Sequence, residues 1–258
     1  MALIKKFRIK SFKEEDPLVE LQKISMFYNK RQILNNLSLK INRQEVLGML
    51  GPNGVGKSTI FHIITGLKDA SYGKVFIKGI DCTNIPIYER ATKFKLGYVP
   101  QHGGLIQDLT LFENLKLVAE IQIKEKDIRQ SKIEKIITQF EFENLLNIKS
   151  KNLSGGQKKK LVIGMALIND PNILLLDEPF AALDILTIKM LQEIIVNLQS
   201  MEEITVVVCD HQARDLLNCV DRAVVLSNGK IIASGSPSEI IKDTSARSAY
   251  FGNEFKIN

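Results

Sequence analysis

Short, almost wholly apolar runs punctuate the chain. "EVLGML" (45–50) stops at a glycine, "NILLLDEP" (172–179) and "EITVVVCDH" (203–211) stop at charged residues, and "RAVVLSNGKIIASG" (222–235) is two such runs joined by Asn228-Gly229. Runs of this length without polar alternation predict strands buried on both faces, and Asn-Gly predicts a hairpin turn. Between the runs, apolar residues recur at three- and four-residue spacing, which predicts helices. Ile60, Ile63, Ile64 and Leu67 form one such set, Phe112, Leu115 and Ala119 a second, and Ile133, Ile136, Ile137 and Phe140 a third. Thr110 and Glu113 carry the capping-box signature. The alternation predicts an α/β fold around a mostly parallel sheet. No strand pattern occurs from Thr110 to Leu153, so a helical subdomain is expected at about residues 102–160. Residues 1–17 read as a poorly anchored basic extension, residues 18–258 as one domain, and the tail as starting at about 242.

Composition narrows the class. At 258 residues, 45% hydrophobic and 25% charged, the chain has the make-up of an ordinary globular protein. No apolar run approaches the ~18 residues of a membrane span. The opening "MALIKKFRIKSFK" lacks the continuous apolar stretch of a secretory signal, so a cytosolic chain is expected. Cys82, Cys209 and Cys219 have neither disulfide nor metal-site spacing. The net charge of +6 reads as solubility, and Lys158, Lys159 and Lys160, without interleaved aromatics, as a solvated helix face with no nucleic-acid role.

Candidate chemistry begins at "GPNGVGKS" (51–58), which fits G-x-x-x-x-G-K-[ST] between a predicted strand and a predicted helix. Gly51, Asn53, Gly54, Gly56, Lys57, Ser58 and Thr59 are the candidate phosphate cradle. Glycines let backbone amides wrap phosphate oxygens, Lys57 neutralises the outer phosphates, and the Ser58 hydroxyl can ligate Mg²⁺. "ILLLDE" (173–178) delivers Asp177 to a strand end, where a carboxylate can hold Mg²⁺. Glu178 follows as the candidate base for an attacking water, and His211, past the next strand, as a candidate γ-phosphate sensor.

"NLSGGQKKKLVIGMAL" (152–167) poses a separate problem. Ser154 is a good helix start, but Gly155 and Gly156 are each about 1 kcal/mol worse than Ala in a helix. A second anion-binding helix start in one chain is reconciled with a single nucleotide by a symmetric head-to-tail dimer. In that arrangement side chains at residues 155 and 156 would block the partner's approach.

"LSGGQ", the phosphate loop and "ILLLDEP" together resemble the ATPase subunit of ABC transporters, over residues 18–258. The resemblance implies the P-loop NTPase ABC ATPase fold with an antiparallel β part and a helical subdomain, with ATP and Mg²⁺ as cofactors. By position it implies that Tyr28 stacks on adenine and that Gln101 in "YVPQ" links Mg²⁺ to membrane partners. It further implies that Ser154, Gly155, Gly156 and Gln157 contact the partner's nucleotide, that Asp184 in "AALD" pairs across the dimer, and that His211 is the switch histidine.

Within the family, "NIPIYERATKFKLGYVPQ" (84–101), "DHQARDLLNCVDRAVVLSNGKIIASGSPSEII" (210–241) and "SAYFGNEFKIN" at the end resemble the lipopolysaccharide-export subgroup. That resemblance implies a homodimer beneath two integral membrane subunits, LptF/LptG-like, peripheral on the cytoplasmic face of a bacterial inner membrane. A branched-chain amino-acid importer ATPase is the alternative. The chain departs from the subgroup at Lys158–Lys160, at Met165 where Arg is common, and at Ile106 where an aromatic packs on a coupling helix. A DNA-repair or chromosome ATPase needs a large insertion between the motifs, yet fewer than 100 residues separate Ser58 from Ser154. Soluble translation-associated ATPases carry two cassettes, and this chain has one.

Overall fold

This computed structural model describes residues 17–252. The expected N-terminal extension, apart from Pro17, and the last six residues of the expected tail lie outside the described residues. The first strands, β1 (Val19–Tyr28) and β2 (Arg31–Ile41), pair antiparallel. With β4 (Tyr72–Ile77) and β5 (Ile80–Asp81) they form a four-stranded sheet in the order β2-β1-β4-β5. Register shifts follow Leu21, Ile24 and Met26 in β1, so its apolar positions do not alternate cleanly.

The apolar runs build a second sheet. It contains β3 (Val46–Leu50), β6 (Leu96–Val99), β7 (Ile173–Asp177), β8 (Thr205–Cys209), β9 (Arg222–Ser227) and β10 (Lys230–Gly235). Their order is β10-β9-β3-β8-β7-β6, parallel throughout except for the β9–β10 hairpin. Asn228 and Gly229 turn that hairpin with φ 48 and 70, the left-handed pair an Asn-Gly turn supplies. Every residue of β3, β7 and β8 is buried. Leu174, Leu176, Val206 and Val208 face one core, while Ile173, Leu175, Val207 and Cys209 face another. Two covered faces explain why these strands are almost wholly apolar, with Asp177 and Thr205 at strand ends the exceptions.

On the second of those faces lies α1 (Lys57–Thr65), with Ile60, Ile63 and Ile64 buried as the spacing predicts. Leu67, predicted on the same stripe, is not: Gly66 ends the helix at φ 78 and Leu67 is 47% exposed. Arg90, from α2 (Ile87–Phe94), caps that end from inside the protein. Its buried guanidinium donates to the carbonyls of Ile63, Ile64, Thr83 and Ile85 over 2.6–3.0 Å, a cation at the negative end of a helix.

The other face carries α3 (Leu111–Gln122), α4 (Lys126–Phe140), α5 (Gly155–Leu167) and α6 (Ile185–Ser200). Leu115, Ala119, Ile133, Ile136, Phe140, Leu161 and Ile163 join one core. Thr110 and Glu113 make the predicted capping box on α3. The chain closes with α7 (Ala213–Leu217), α8 (Pro237–Lys242), α9 (Thr244–Ala246) and a wide helical turn over Arg247–Phe251.

The lysines of α5 are not the solvated face the sequence predicts. Lys158 Nζ donates to the Lys151 carbonyl at 3.0 Å, Lys159 Nζ to the Gln101 carbonyl at 3.4 Å, and Lys160 Nζ sits 5.8 Å from the Phe142 ring centre. Burial pulls the Lys159 and Lys160 ammonium groups below the usual lysine range. The three cysteines are free and buried. Among the described residues no helix is long and apolar enough to cross a membrane.

Candidate functional site

The phosphate loop joins the end of β3 to α1, where the sequence predicts it. Gly56 is the α1 N-cap at φ 115, and no side chain caps that turn. A Cβ at Gly56 would lie 2.6 Å from Leu34 Cδ2, so shape as well as conformation requires glycine there. First-turn amides have no partner within a helix and are donors to an anion placed at its start. Lys57 is 5% exposed, and its ammonium donates to the carbonyls of Gly51 at 2.7 Å and Pro52 at 3.2 Å. A cavity of about 500 Å³ is lined by Tyr28, Arg31 and Ile33, by Asn53, Gly54, Gly56, Lys57, Ser58 and Thr59, and by Gln101 and Glu178. The structure therefore brings one end of β1, the phosphate loop and the two carboxylate-side residues to a single space.

Parallel pairing of β7 with β8 sets Asp177 opposite Cys209 at the strand ends. Asp177 is buried, and three donors hold its carboxylate. Ser58 Oγ and Cys209 Sγ donate to Oδ1 over 3.1 and 2.8 Å, and Tyr98 Oη donates to Oδ2 over 3.3 Å. Burial, reinforced by Asp177, pushes the Cys209 thiol and the Tyr98 hydroxyl well up, which keeps both as donors. The Ser58–Asp177 pair presents hard oxygens of the kind Mg²⁺ takes. Among the described residues no group of three or more His, Cys, Asp or Glu side chains is arranged for a metal, so a cation here would draw its remaining ligands from phosphate and water.

Glu178 leaves β7 at φ 46, a left-handed turn that costs a non-glycine residue on the order of 1 kcal/mol. The turn is held by its amide, which donates to the Cys209 carbonyl at 2.8 Å. It directs the side chain to Gln101, whose Nε2 donates to Glu178 Oε2 over 2.7 Å. His211 Nδ1 lies 3.4 Å from the same oxygen. Asp210 anchors the loop beneath: fully buried, it accepts from the Phe180 and Gln212 amides at 3.0 and 2.9 Å. Gln101, Glu178 and His211, far apart in sequence, thus meet at one carboxylate oxygen.

A second group of predicted residues gathers elsewhere. Ser154 and Gln157 form a capping box at the start of α5, and Asp184 caps α6 through the Thr187 amide. None of these residues lines the cavity described above. The two helix starts touch: a Cβ on Gly155 would lie 3.5 Å from Leu183 Cδ2, and one on Gly156 only 2.6 Å from Thr187 Cγ2. A side chain at Gly156 would therefore also crowd its own chain, whereas Gly155 has room for a methyl group within the chain. Beside Gln101 runs a groove of about 210 Å³ lined by Leu105, Gln107, Lys158, Lys159 and Val162, among others. Ile106, expected at the coupling contact, is 49% exposed and outside that lining.

The sequence did not single out Arg31, Ile33, Tyr98, Cys209 or Asp210. Asp210 and Cys209 were adjacent to a marked histidine, and Tyr98 stands three residues before Gln101, so position along the motif was the available signal.

The family model described as ABC transporter matches residues 34–181. The lipopolysaccharide export system ATP-binding protein LptB of Haemophilus influenzae is 34% identical over 244 residues, 93% of this chain and 99% of that protein. The LptB of Escherichia coli is 32% identical over 231 residues, 89% of this chain and 95% of that protein. Among solved structures, an ATP-binding cassette of an ABC transporter in its ADP conformation is similar with TM-score 0.83 and 27% identity, over 92% of this chain and 99% of that one. A dimeric cassette bound to ADP and Pi is similar with TM-score 0.77 and 29% identity, over 85% of this chain and 98% of that one.

Proposed function

This chain belongs to the ABC transporter family as an ATP-binding, ATP-hydrolysing subunit, and from that premise we propose that it powers lipopolysaccharide extraction from an inner membrane toward the outer membrane. The observation that carries the cargo is 32–34% identity to proteins named LptB across at least 89% of this chain.

At the nucleotide, Tyr28 stacks on adenine and the phosphate loop amides receive the phosphates. Lys57 exchanges its two loop carbonyls for phosphate oxygens. Ser58 and Asp177 hold Mg²⁺, with Gln101 beside them; bound there, the ion would neutralise phosphate charge. Glu178 takes the proton of the attacking water, while Gln101 and His211 hold its carboxylate in place. The convergence of those two groups on Glu178 Oε2 supports this assignment.

Two copies close head to tail, each bringing Ser154, Gly155, Gly156 and Gln157 to the other's ATP, with Asp184 at the seam. The pair sits on the cytoplasmic face beneath two different integral subunits, whose coupling helices enter the groove beside Gln101. Depletion of the chain in its host tests the cargo. Newly made lipopolysaccharide should accumulate in the inner membrane; if it still reaches the outer membrane while branched-chain amino-acid uptake fails, the export reading is wrong.

A further inference from the structure

Tyr250 lies in the last described turn, Arg247–Phe251, and its hydroxyl donates to the carbonyl oxygen of His211 over 2.7 Å. That carbonyl also accepts from the Ala213 amide at 3.0 Å, so both of its lone pairs are engaged. The phenol therefore holds the backbone of the histidine whose ring reaches Glu178.

The ring and the hydroxyl serve different ends. The ring packs partly buried against the larger hydrophobic core and meets Phe251 edge-on, with centroids 5.1 Å apart. Its segment is fixed upstream by fully buried Ala246, whose amide donates to Asp243 Oδ1 at 2.7 Å. Only the hydroxyl addresses the hydrolytic site. Burial first, then Asp210 and Glu178, push it up to about 12, so it stays protonated and able to donate.

We propose that Tyr250 is a positioning residue for ATP hydrolysis, fixing the His211 backbone so that the imidazole stays at Glu178. The tail after α8 thereby becomes part of the hydrolytic apparatus. The inference rests on the role given above to His211, which must be tested beside it.

Tyr250→Phe keeps the ring and removes the hydroxyl alone. Turnover should fall about three- to tenfold, the equivalent of one neutral hydrogen bond. ATP affinity should match the parent and the melting temperature should fall by no more than about 6 °C, the worth of that one hydrogen bond, a split that loss of packing would not produce. His211→Ala is measured in parallel. If His211→Ala hydrolyses ATP normally, the histidine's role fails. If His211→Ala is inactive but Tyr250→Phe turns over at the parental rate, the role of Tyr250 alone is overturned. A Tyr250→Phe protein that loses ATP affinity, or melts more than about 6 °C lower, along with turnover is also against the inference, since the tyrosine would then be a packing residue.

Discussion

Gln101 Nε2 and Glu178 Oε2 stand 2.7 Å apart, joining the second residue after β6 to the first residue after β7 above their parallel strands. The carboxylate is held before any water reaches it. Glu178→Gln preserves an oxygen that can accept from Gln101 but removes the base. ATP binding should persist while turnover falls by roughly 10²–10⁴. Equilibrium binding and steady-state hydrolysis on the purified variant decide this, and near-parental turnover would remove Glu178 from the chemistry.

The two signature glycines should behave differently. Thr187 cannot yield to a methyl group at residue 156, because Asp184 accepts from its hydroxyl at 2.5 Å and from its amide at 3.0 Å. Overpacking costs about 1–3 kcal/mol, more than the helix propensity that alanine gains, so Gly156→Ala should melt lower. Adding Thr187→Ser removes Cγ2 but keeps the hydroxyl, and should recover most of the loss. Gly155→Ala should melt no lower than the parent.

Closure of the dimer is a separate expectation. A helix terminus stabilises an anion by up to ~2 kcal/mol, and two of them fall short of the ~8 kcal/mol of a micromolar dimer. Without ATP the chain should scatter light as a monomer, and in a Glu178→Gln background it should dimerise when ATP is added. Gly155→Ala in that background should stay monomeric. A stable dimer without nucleotide contradicts the expectation.

Arg90 is the stability hinge of α1. Arg90→Ala leaves four carbonyls without their donor and a void in the interior, and should cost about 3–5 kcal/mol. Denaturant unfolding measures it. A loss below about 1 kcal/mol would mean that water replaces the guanidinium at that helix end.

Ile106 is half-exposed, so Ile106→Asp should change folding stability by no more than about 0.5 kcal/mol. Against a membrane subunit, however, an unpaired carboxylate becomes buried at several kcal/mol. Co-purification of the membrane subunits should weaken while ATP affinity is kept. Unchanged co-purification would put the coupling contact on the groove lining at Leu105 and Val162 instead.

The sequence exposed the doubly covered sheet because burial on both faces leaves β3, β7 and β8 without polar alternation, their polar residues Asp177 and Thr205 lying at strand ends. It hid the small sheet, where shifts at Leu21, Ile24 and Met26 scramble the period of two. Motif residues were legible because phosphate binding demands fixed residue types at fixed spacing. Tyr98, Cys209 and Tyr250 were not, since their partners lie 79, 32 and 39 residues away and are joined only by the folded chain. The reason for Gly156 was hidden in the same way, in a contact with Thr187.

Helices α3, α5, α6, α8 and α9 each close their first turn with a Thr, Ser or Asp of their own, whereas α1 begins at the bare backbone of Gly56. The solidity of the sheet around α1 is therefore tied to the supply of phosphate in its surroundings. At ATP one hundred times its dissociation constant, binding adds about 2.7 kcal/mol, or roughly 5–10 °C of melting temperature. Calorimetry with and without ATP should show that shift. In a starving cell the same subunit would be softer and easier to digest, so its abundance would follow the energy state of the cell that uses it.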